Sequence, residues 1–278
     1  MTAWIDGGLV PLADAHLSVL DHGVVVGDGV FETLRVYRGV PFAWTRHIAR
    51  LRVSADALGL ALPDTADLRT AADAVIAANG LDDARLRITV TGGPAPPGSG
   101  RGDAPPTVFL LAFPIGPPEP AVDVVVAPWT RNEHGALAGL KTISYAANVR
   151  ALAYAAERGA GEALFANTSG NLCEATGSNV FVVRNNTLYT PPPSAGCLLG
   201  VTRALTLVLA TELGIKAEES DIAIGAIAQA DEAFLSSTTR EVQPIRTVDA
   251  TRLRAAPGPV TERLAAAFRD LVARDLDP

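Results

Sequence analysis

Lys141 closes the stretch A-L-A-G-L-K, Glu174 follows in C-E-A-T-G-S-N-V-F, and Gly200 opens G-V-T-R just before an apolar run. A lysine amine condenses with an aldehyde when it is kept deprotonated, shielded from water and near other positive charge. A carboxylate in a mainly neutral stretch calls for a cationic partner, and a protonated pyridine nitrogen is one. The start of an apolar helix presents backbone N–H groups and the positive end of its dipole to a phosphate. Amine, carboxylate and phosphate seat, in this order, outline a site for pyridoxal 5′-phosphate.

Each residue also has a plainer reading. Taken alone, Lys141 would be a solvated lysine at a helix start. Glu174 would be the partner of an unseen arginine, and Thr202 an ordinary N-cap. The hydroxyl cluster Ser236-Ser237-Thr238-Thr239 would complete a phosphate cup or would be a solvated turn.

The elements that must position these groups come from a chain of 278 residues, 48% apolar, enough for one large domain or two medium ones with real cores. A net charge of −7 without any basic run argues against a nucleic-acid partner and for a small molecule. Cys173 and Cys197 lack companions at ligand spacing, so they read as reduced core thiols rather than as a zinc site or disulfide framework. The N-terminus M-T-A-W-I-D-G-G has no basic n-region, and no run approaches the roughly 20 apolar residues of a membrane span. The expectation is a cytoplasmic protein without a membrane partner. Asn167-Thr168-Ser169 and Asn185-Asn186-Thr187 read as chance glycosylation matches in turns.

Along the first half, the pattern predicts a strand around Trp4 and strands at 33–37 and 40–43 joined by an Arg38-Gly39 turn. Helices follow over 46–60, stopped by Gly59, and over 65–79, ended by Gly80. Strands at 85–91 and 108–113 flank the Gly- and Pro-rich segment 92–106, which reads as a mobile surface loop, either a lid or a plain linker. Its Arg101-Gly102-Asp103 reads as coincidence. Prolines from Pro114 to Pro120 break the pattern most strongly, placing a domain boundary there: 1–115, a linker at 116–121, and 122–278. The second half reads as a strand at 122–128, a helix over 145–159, and strands at 162–166 and 179–184. A helix over 201–213, a strand near 233–236 and an amphipathic helix after Pro259 complete it.

Several segments, in order over almost the whole chain, then resemble one family. They are D-H-G-V-V-V-G-D-G-V-F-E-T from Asp21, H-I-A-R-L from His47, R-N-E-H-G-A-L-A-G-L-K to Lys141, and G-E-A-L-F-A-N from Gly161. E-A-T-G-S-N-V-F, L-L-G-V-T-R and S-S-T-T-R-E-V-Q-P-I complete the set. The resemblance is to the class IV, fold-type IV pyridoxal-phosphate enzymes, which include aminodeoxychorismate lyases, branched-chain aminotransferases and D-amino acid transaminases. It implies that Lys141 bonds the cofactor aldehyde and shuttles the proton, Glu174 pairs the pyridine nitrogen, and Arg50 binds the phosphate. It also implies that Leu198 packs on the ring and Tyr145 lies near the ring hydroxyl, with Val201, Thr202 and Thr238 donating to the phosphate. The implied fold is α/β (α+β): an N-terminal α/β domain, a C-terminal domain with a barrel-like sheet and helices, and the cofactor between them in a homodimer.

Within that family, Gly27-Asp28-Gly29 and Phe31-Glu32-Thr33 look like the lyase and D-amino acid branches, and no R-x-H pair occurs in 85–91. Ser144 stands where lyase-like chains often carry Asn, and Val26 where an aromatic is frequent. The reading adopted from the sequence is an aminodeoxychorismate lyase that forms 4-aminobenzoate and pyruvate, a folate-precursor step. Its alternatives are an aminotransferase of D- or branched-chain amino acids and a catalytically inactive binding protein of the same fold. Arg35 and Arg87 are the candidates for substrate carboxylates, or else form surface ion pairs.

Overall fold

In the computed structural model, which describes residues 1–278, one unit comprises Met1–Gly116, Leu140–Ser144 and Asp275–Pro278. It opens with the hairpin β1 (Thr2–Ile5) and β2 (Gly8–Pro11), followed by one helical turn, α1 (His22–Val25). Next come β3 (Gly29–Tyr37), β4 (Val40–Pro41), α2 (Trp44–Leu58), α3 (Thr65–Ala78), β5 (Ala84–Thr91) and β6 (Val108–Pro114). The strands form one antiparallel sheet in the order β2-β1-β6-β5-β3-β4. Val30, Leu34 and Val36 of β3 and Leu86, Ile88 and Val90 of β5 share the face that packs on Ile48, Leu51 and Ala55 of α2 and on α3. Gly59 ends α2 in the left-handed conformation at φ 63°, and Asp64 caps α3 by accepting from Ala66 N–H at 2.8 Å.

Two sequence expectations change here. Strand β3 starts at Gly29 rather than Thr33, because Gly29 to Glu32 pair with Ile88 to Thr91; Ala43 is a left-handed N-cap of α2, not strand. The segment 92–106, expected to be mobile, is fastened. His22 N–H donates to Gly93 O at 2.9 Å, Ala95 N–H to Leu20 O at 3.1 Å, and Arg101 forks onto Asp28. Asp21, fully buried, accepts from Gly23 N–H and from the hydroxyls of Thr91 and Thr107. Backbone bonds to Leu20 and His22, and the segment's own Arg101 on Asp28, supply the order. The C-terminal residues also serve this unit, since Asp277 accepts the Thr45 N–H and hydroxyl at the start of α2.

The other unit comprises Pro117–Gly139 and Tyr145–Arg274. Its elements are β7 (Val122–Val126), α4 (Ala146–Ala156), β8 (Glu162–Ala166), β9 (Leu172–Ala175), β10 (Asn179–Arg184), β11 (Thr187–Thr190) and α5 (Val201–Glu212). β12 (Ala217–Glu219), β13 (Glu232–Ser237), β14 (Glu241–Val248), β15 (Thr251–Arg252) and α6 (Pro259–Arg274) complete it. The sheet runs β12-β11-β10-β13-β14-β7-β8-β9, parallel at β12/β11, β14/β7 and β7/β8, with β15 on β14. Edge strand β9 leads straight back to β10 through a turn closed by Ala175 N–H to Ser178 O at 2.8 Å, which curls the sheet into a partial barrel. Inward residues such as Val124, Leu164, Val180, Val182, Leu235 and Ile245 fill it. Both cysteines are buried, and burial pushes their thiols up, Cys197 to about 11. No helix is long and apolar enough to cross a membrane.

Candidate active site

Lys141 belongs to the short return Leu140–Ser144, which lies antiparallel to the start of β3. Phe31 N–H donates to Lys141 O at 3.1 Å, Ile143 N–H to Gly29 O at 2.9 Å, and Lys141 N–H to Ser54 Oγ on α2 at 3.0 Å. The backbone of the lysine is thus fixed on both sides. Its Nζ stands 4.4 Å from the centre of the Phe31 ring, and the Arg87 guanidinium is 3.7 Å from the same ring. Half-buried, with its main chain in a sheet-like ladder, Lys141 is not the solvated helix-start lysine of the plainer reading.

Arg50 stands on α2 one turn before Ser54. Its Nε and Nη2 donate to the two oxygens of Glu32 at 2.7 Å each, and His47 Nδ1 lies 2.7 Å from Glu32 Oε2. Burial pushes the Glu32 carboxyl up, but Arg50 and then His47 outweigh it and hold the group far below the usual carboxylate range. Burial lowers His47, with Arg50 and Lys141 adding to the fall. Sequence reading missed both Glu32 and His47. A Glu within an otherwise apolar strand face was the available signal.

Arg35 and Arg87 lie on the sheet face opposite the helices, Arg35 two residues along β3 from the Thr33 that pairs with Arg87. Arg87, opposite Thr33, shares Phe31 with Lys141. Arg35 is four residues beyond Phe31, roughly 13 Å along the strand, where it faces Asp83 at 3.7 Å and the Tyr37 ring. The Asp83 contact engages Nη2 of Arg35 alone; its Nε and Nη1 are buried without a hydrogen-bond partner.

In the second unit, Glu174 on β9 accepts the Leu198 N–H at 2.9 Å and stands 3.4 Å from Arg131 Nε. The unseen arginine of the plainer reading is Arg131, whose guanidinium also lies over the Phe165 ring. Asn179 Nδ2 donates to Leu198 O at 2.7 Å, so the loop before α5 is held through both the N–H and the carbonyl of one residue. Two glycines make this approach possible. Gly196 has φ 85°, and a Cβ there would meet the Glu133 backbone at 2.7 Å; a Cβ on Gly200 would collide with the Asn179 amide.

Gly200 is the N-cap of α5 and supplies no capping side chain. Thr202 is the second residue of the helix rather than its cap, buried at 5% exposure. Asn179 and Ser236 face each other across β10 and β13, and the buried Ser236 hydroxyl has no hydrogen-bond partner. Thr238 lies in the turn after β13, which is fastened where Arg240 N–H meets Ser237 Oγ and its guanidinium meets Glu162. Tyr145 is the N-cap of α4, and its carbonyl accepts from Val149 N–H at 2.9 Å.

This donor set fits the cofactor. An uncapped helix start, the Thr202 hydroxyl and an orphaned buried serine suit a phosphate. No group of His, Cys, Asp or Glu is placed to hold a metal ion.

Comparison with known proteins agrees. The family described as Amino-transferase class IV matches residues 29–248. The chain is 33% identical over 276 residues to a D-alanine aminotransferase of Bacillus licheniformis, covering 98% of this chain and 97% of that one. Among solved structures, the Escherichia coli branched-chain amino acid aminotransferase superposes with TM-score 0.92 at 30% identity, covering 97% and 94% of the two chains. A proposed 4-amino-4-deoxychorismate lyase of Legionella pneumophila superposes with TM-score 0.88 at 25% identity, covering 93% and 96%.

Proposed function

Because the chain belongs to the class IV aminotransferase family, we propose that it is a pyridoxal-phosphate enzyme transferring an amino group between an α-amino acid and a 2-oxo acid. The observation that carries this reading is a likeness to aminotransferases along nearly the whole chain, at 33% identity over 98% of it, with Lys141 anchored by its backbone beside Phe31. The comparisons favour this alternative over the lyase read first from the sequence. The lyase remains the second reading, supported by the Legionella pneumophila structure.

Bound, pyridoxal phosphate supplies an aldehyde that takes up an amine and a protonated ring that accepts electron density. Lys141 Nζ would hold the aldehyde and would move the proton at the substrate α-carbon. Glu174, kept in place by Leu198 N–H, holds the proton on the ring nitrogen. Arg50, the start of α5 at Val201 and Thr202, and Thr238 would be the groups for the phosphate. Leu198 would pack against the ring, Tyr145 would stand near the ring hydroxyl, and Arg87 would take the substrate carboxylate.

The chain acts as a homodimer in this reading. Val19, Leu20, Val24, Val25 and Val26 are all exposed within one short segment, more apolar surface than a free turn of chain normally shows water. Sedimentation of a single-chain species would remove that part.

An assay of the purified protein with L-leucine, L-isoleucine or D-alanine plus 2-oxoglutarate, set against aminodeoxychorismate, tests the function. Glutamate formation is expected. Aminobenzoate formation without amino transfer would replace this reading with the lyase.

A further inference from the structure

The carboxylate beneath α2 is not explained by packing. Glu32 takes the same β3 face as the core residues Val30, Leu34 and Val36 and is fully buried. An apolar residue there would satisfy the core without desolvating a charge, and apolar replacements of buried ion pairs are often neutral or stabilising. What the carboxylate adds is direction. It grips Arg50 side-on through Nε and Nη2, 2.7 Å each, which fixes the plane of the guanidinium.

We propose that Glu32 is a positioning residue that presets Arg50 for the cofactor phosphate, with His47 as the third member holding the carboxylate in register. The proposal rests on Arg50 being a phosphate ligand. His47, Arg50 and Ser54 lie at i, i+3 and i+7, one stripe of α2. The first two meet Glu32, and the third accepts the Lys141 N–H. One helix face thereby sets the phosphate-binding arginine and the amine-bearing segment in a fixed mutual register. Burial outweighs the pull of Glu32 and holds His47 below its ordinary value, which disfavours a second cation on the carboxylate.

Two effects of removing the carboxylate oppose each other, which makes the test decisive. Loss of a nearby negative charge would strengthen the pull of Arg50 on phosphate, whereas loss of orientation would weaken it. Dissociation constants of pyridoxal phosphate and of phosphate-free pyridoxal, read from the absorbance of the lysine-bound cofactor, are to be measured for the wild type, Glu32→Gln, Arg50→Gln and the double variant. The 31P resonance of the bound phosphate is recorded alongside.

Glu32→Gln is expected to weaken pyridoxal phosphate binding about tenfold or more, leave pyridoxal binding unchanged and move the 31P resonance. The double variant should bind no worse than Arg50→Gln alone. Equal weakening of both ligands, additive losses, or tighter phosphate binding would each overturn the proposal. If Glu32→Gln does not fold, Glu32→Asp retains the buried charge but is one methylene short, and should show the same selective loss; equal losses for both ligands would overturn it. Unchanged phosphate affinity in Arg50→Gln would remove the Arg50 assignment and this proposal with it. A wild type that binds neither compound would instead remove the cofactor reading itself.

Discussion

Ser54 Oγ accepts a 3.0 Å hydrogen bond from the backbone N–H of Lys141, tying the segment that carries the amine to the middle of α2. Ser54→Ala leaves that N–H without its partner, at a cost of about 1–3 kcal/mol. The variant should fold with a lowered melting temperature and form its covalent link with the cofactor more slowly. Stopped-flow absorbance on mixing with pyridoxal phosphate checks this, and a rate equal to wild type would show that the anchor is dispensable.

Glu174 is held by Leu198 N–H and faces Arg131, so the side chain is oriented before any ligand arrives. Glu174→Gln keeps the shape and one hydrogen-bonding oxygen but loses the charge that holds a proton on the ring. Cofactor uptake should persist while kcat falls by about 100-fold or more. Steady-state kinetics at saturating cofactor decide; a kcat within a few-fold of wild type would take Glu174 out of the chemistry.

Arg101 binds both oxygens of Asp28 at 2.6 Å and the Gly59 carbonyl at 3.0 Å, pinning the segment 92–106 to the end of α2. The hydrogen bond from Arg101 is the main reason that Asp28 titrates below the usual carboxylate range. Both groups retain solvent contact, so the pair stabilises by only about 1 kcal/mol. Arg101→Ala should hardly move the melting temperature yet expose the segment to protease. Limited trypsin or subtilisin digestion followed by mass spectrometry reads this directly, and unchanged cleavage kinetics would contradict the pinning.

Acid should loosen the first unit in two steps. His47 is held below its ordinary value of 6.5, so the unfolded chain binds that proton first and stability drops as pH falls below 6.5. Glu32 is held below its ordinary 4.5, so its contribution is present above that value and declines as pH falls further. Arg50, on the same helix, meets the same carboxylate. Urea unfolding from pH 8 to pH 5 should show falling stability, with a shallower slope in His47→Gln; identical slopes would locate the titration elsewhere.

Much of this arrangement was legible in the residues. Helical periodicity and Gly59 located α2, and prolines from 114 to 120 contain the first of the points where the chain passes between units, while the returns at 140–144 and 275–278 left no local signal. The order of lysine, glutamate and Gly-Val-Thr gave the candidate site. Short, polar strands escaped notice: β9 and β11 are four residues each, and β14 carries Pro244 in mid-strand, where proline argues against a ladder. Long-range pairings were equally hidden. Nothing local to Glu32 names Arg50 as its partner, nothing near Glu174 names Arg131, and only the folded chain shows Arg35 turned toward Asp83. The lyase preference rests on small differences in Gly27–Gly29 and Phe31–Thr33, too few residues to weigh against a likeness to aminotransferases along nearly the whole chain.

The central claim is a covalent carbon–nitrogen link between Lys141 and pyridoxal phosphate. Borohydride reduction of the cofactor-loaded protein, then proteolysis and mass spectrometry, measures it most directly. The account predicts a phosphopyridoxyl adduct on the peptide containing Lys141 and none in Lys141→Ala; an adduct on another lysine, or no adduct in the wild type, would contradict it.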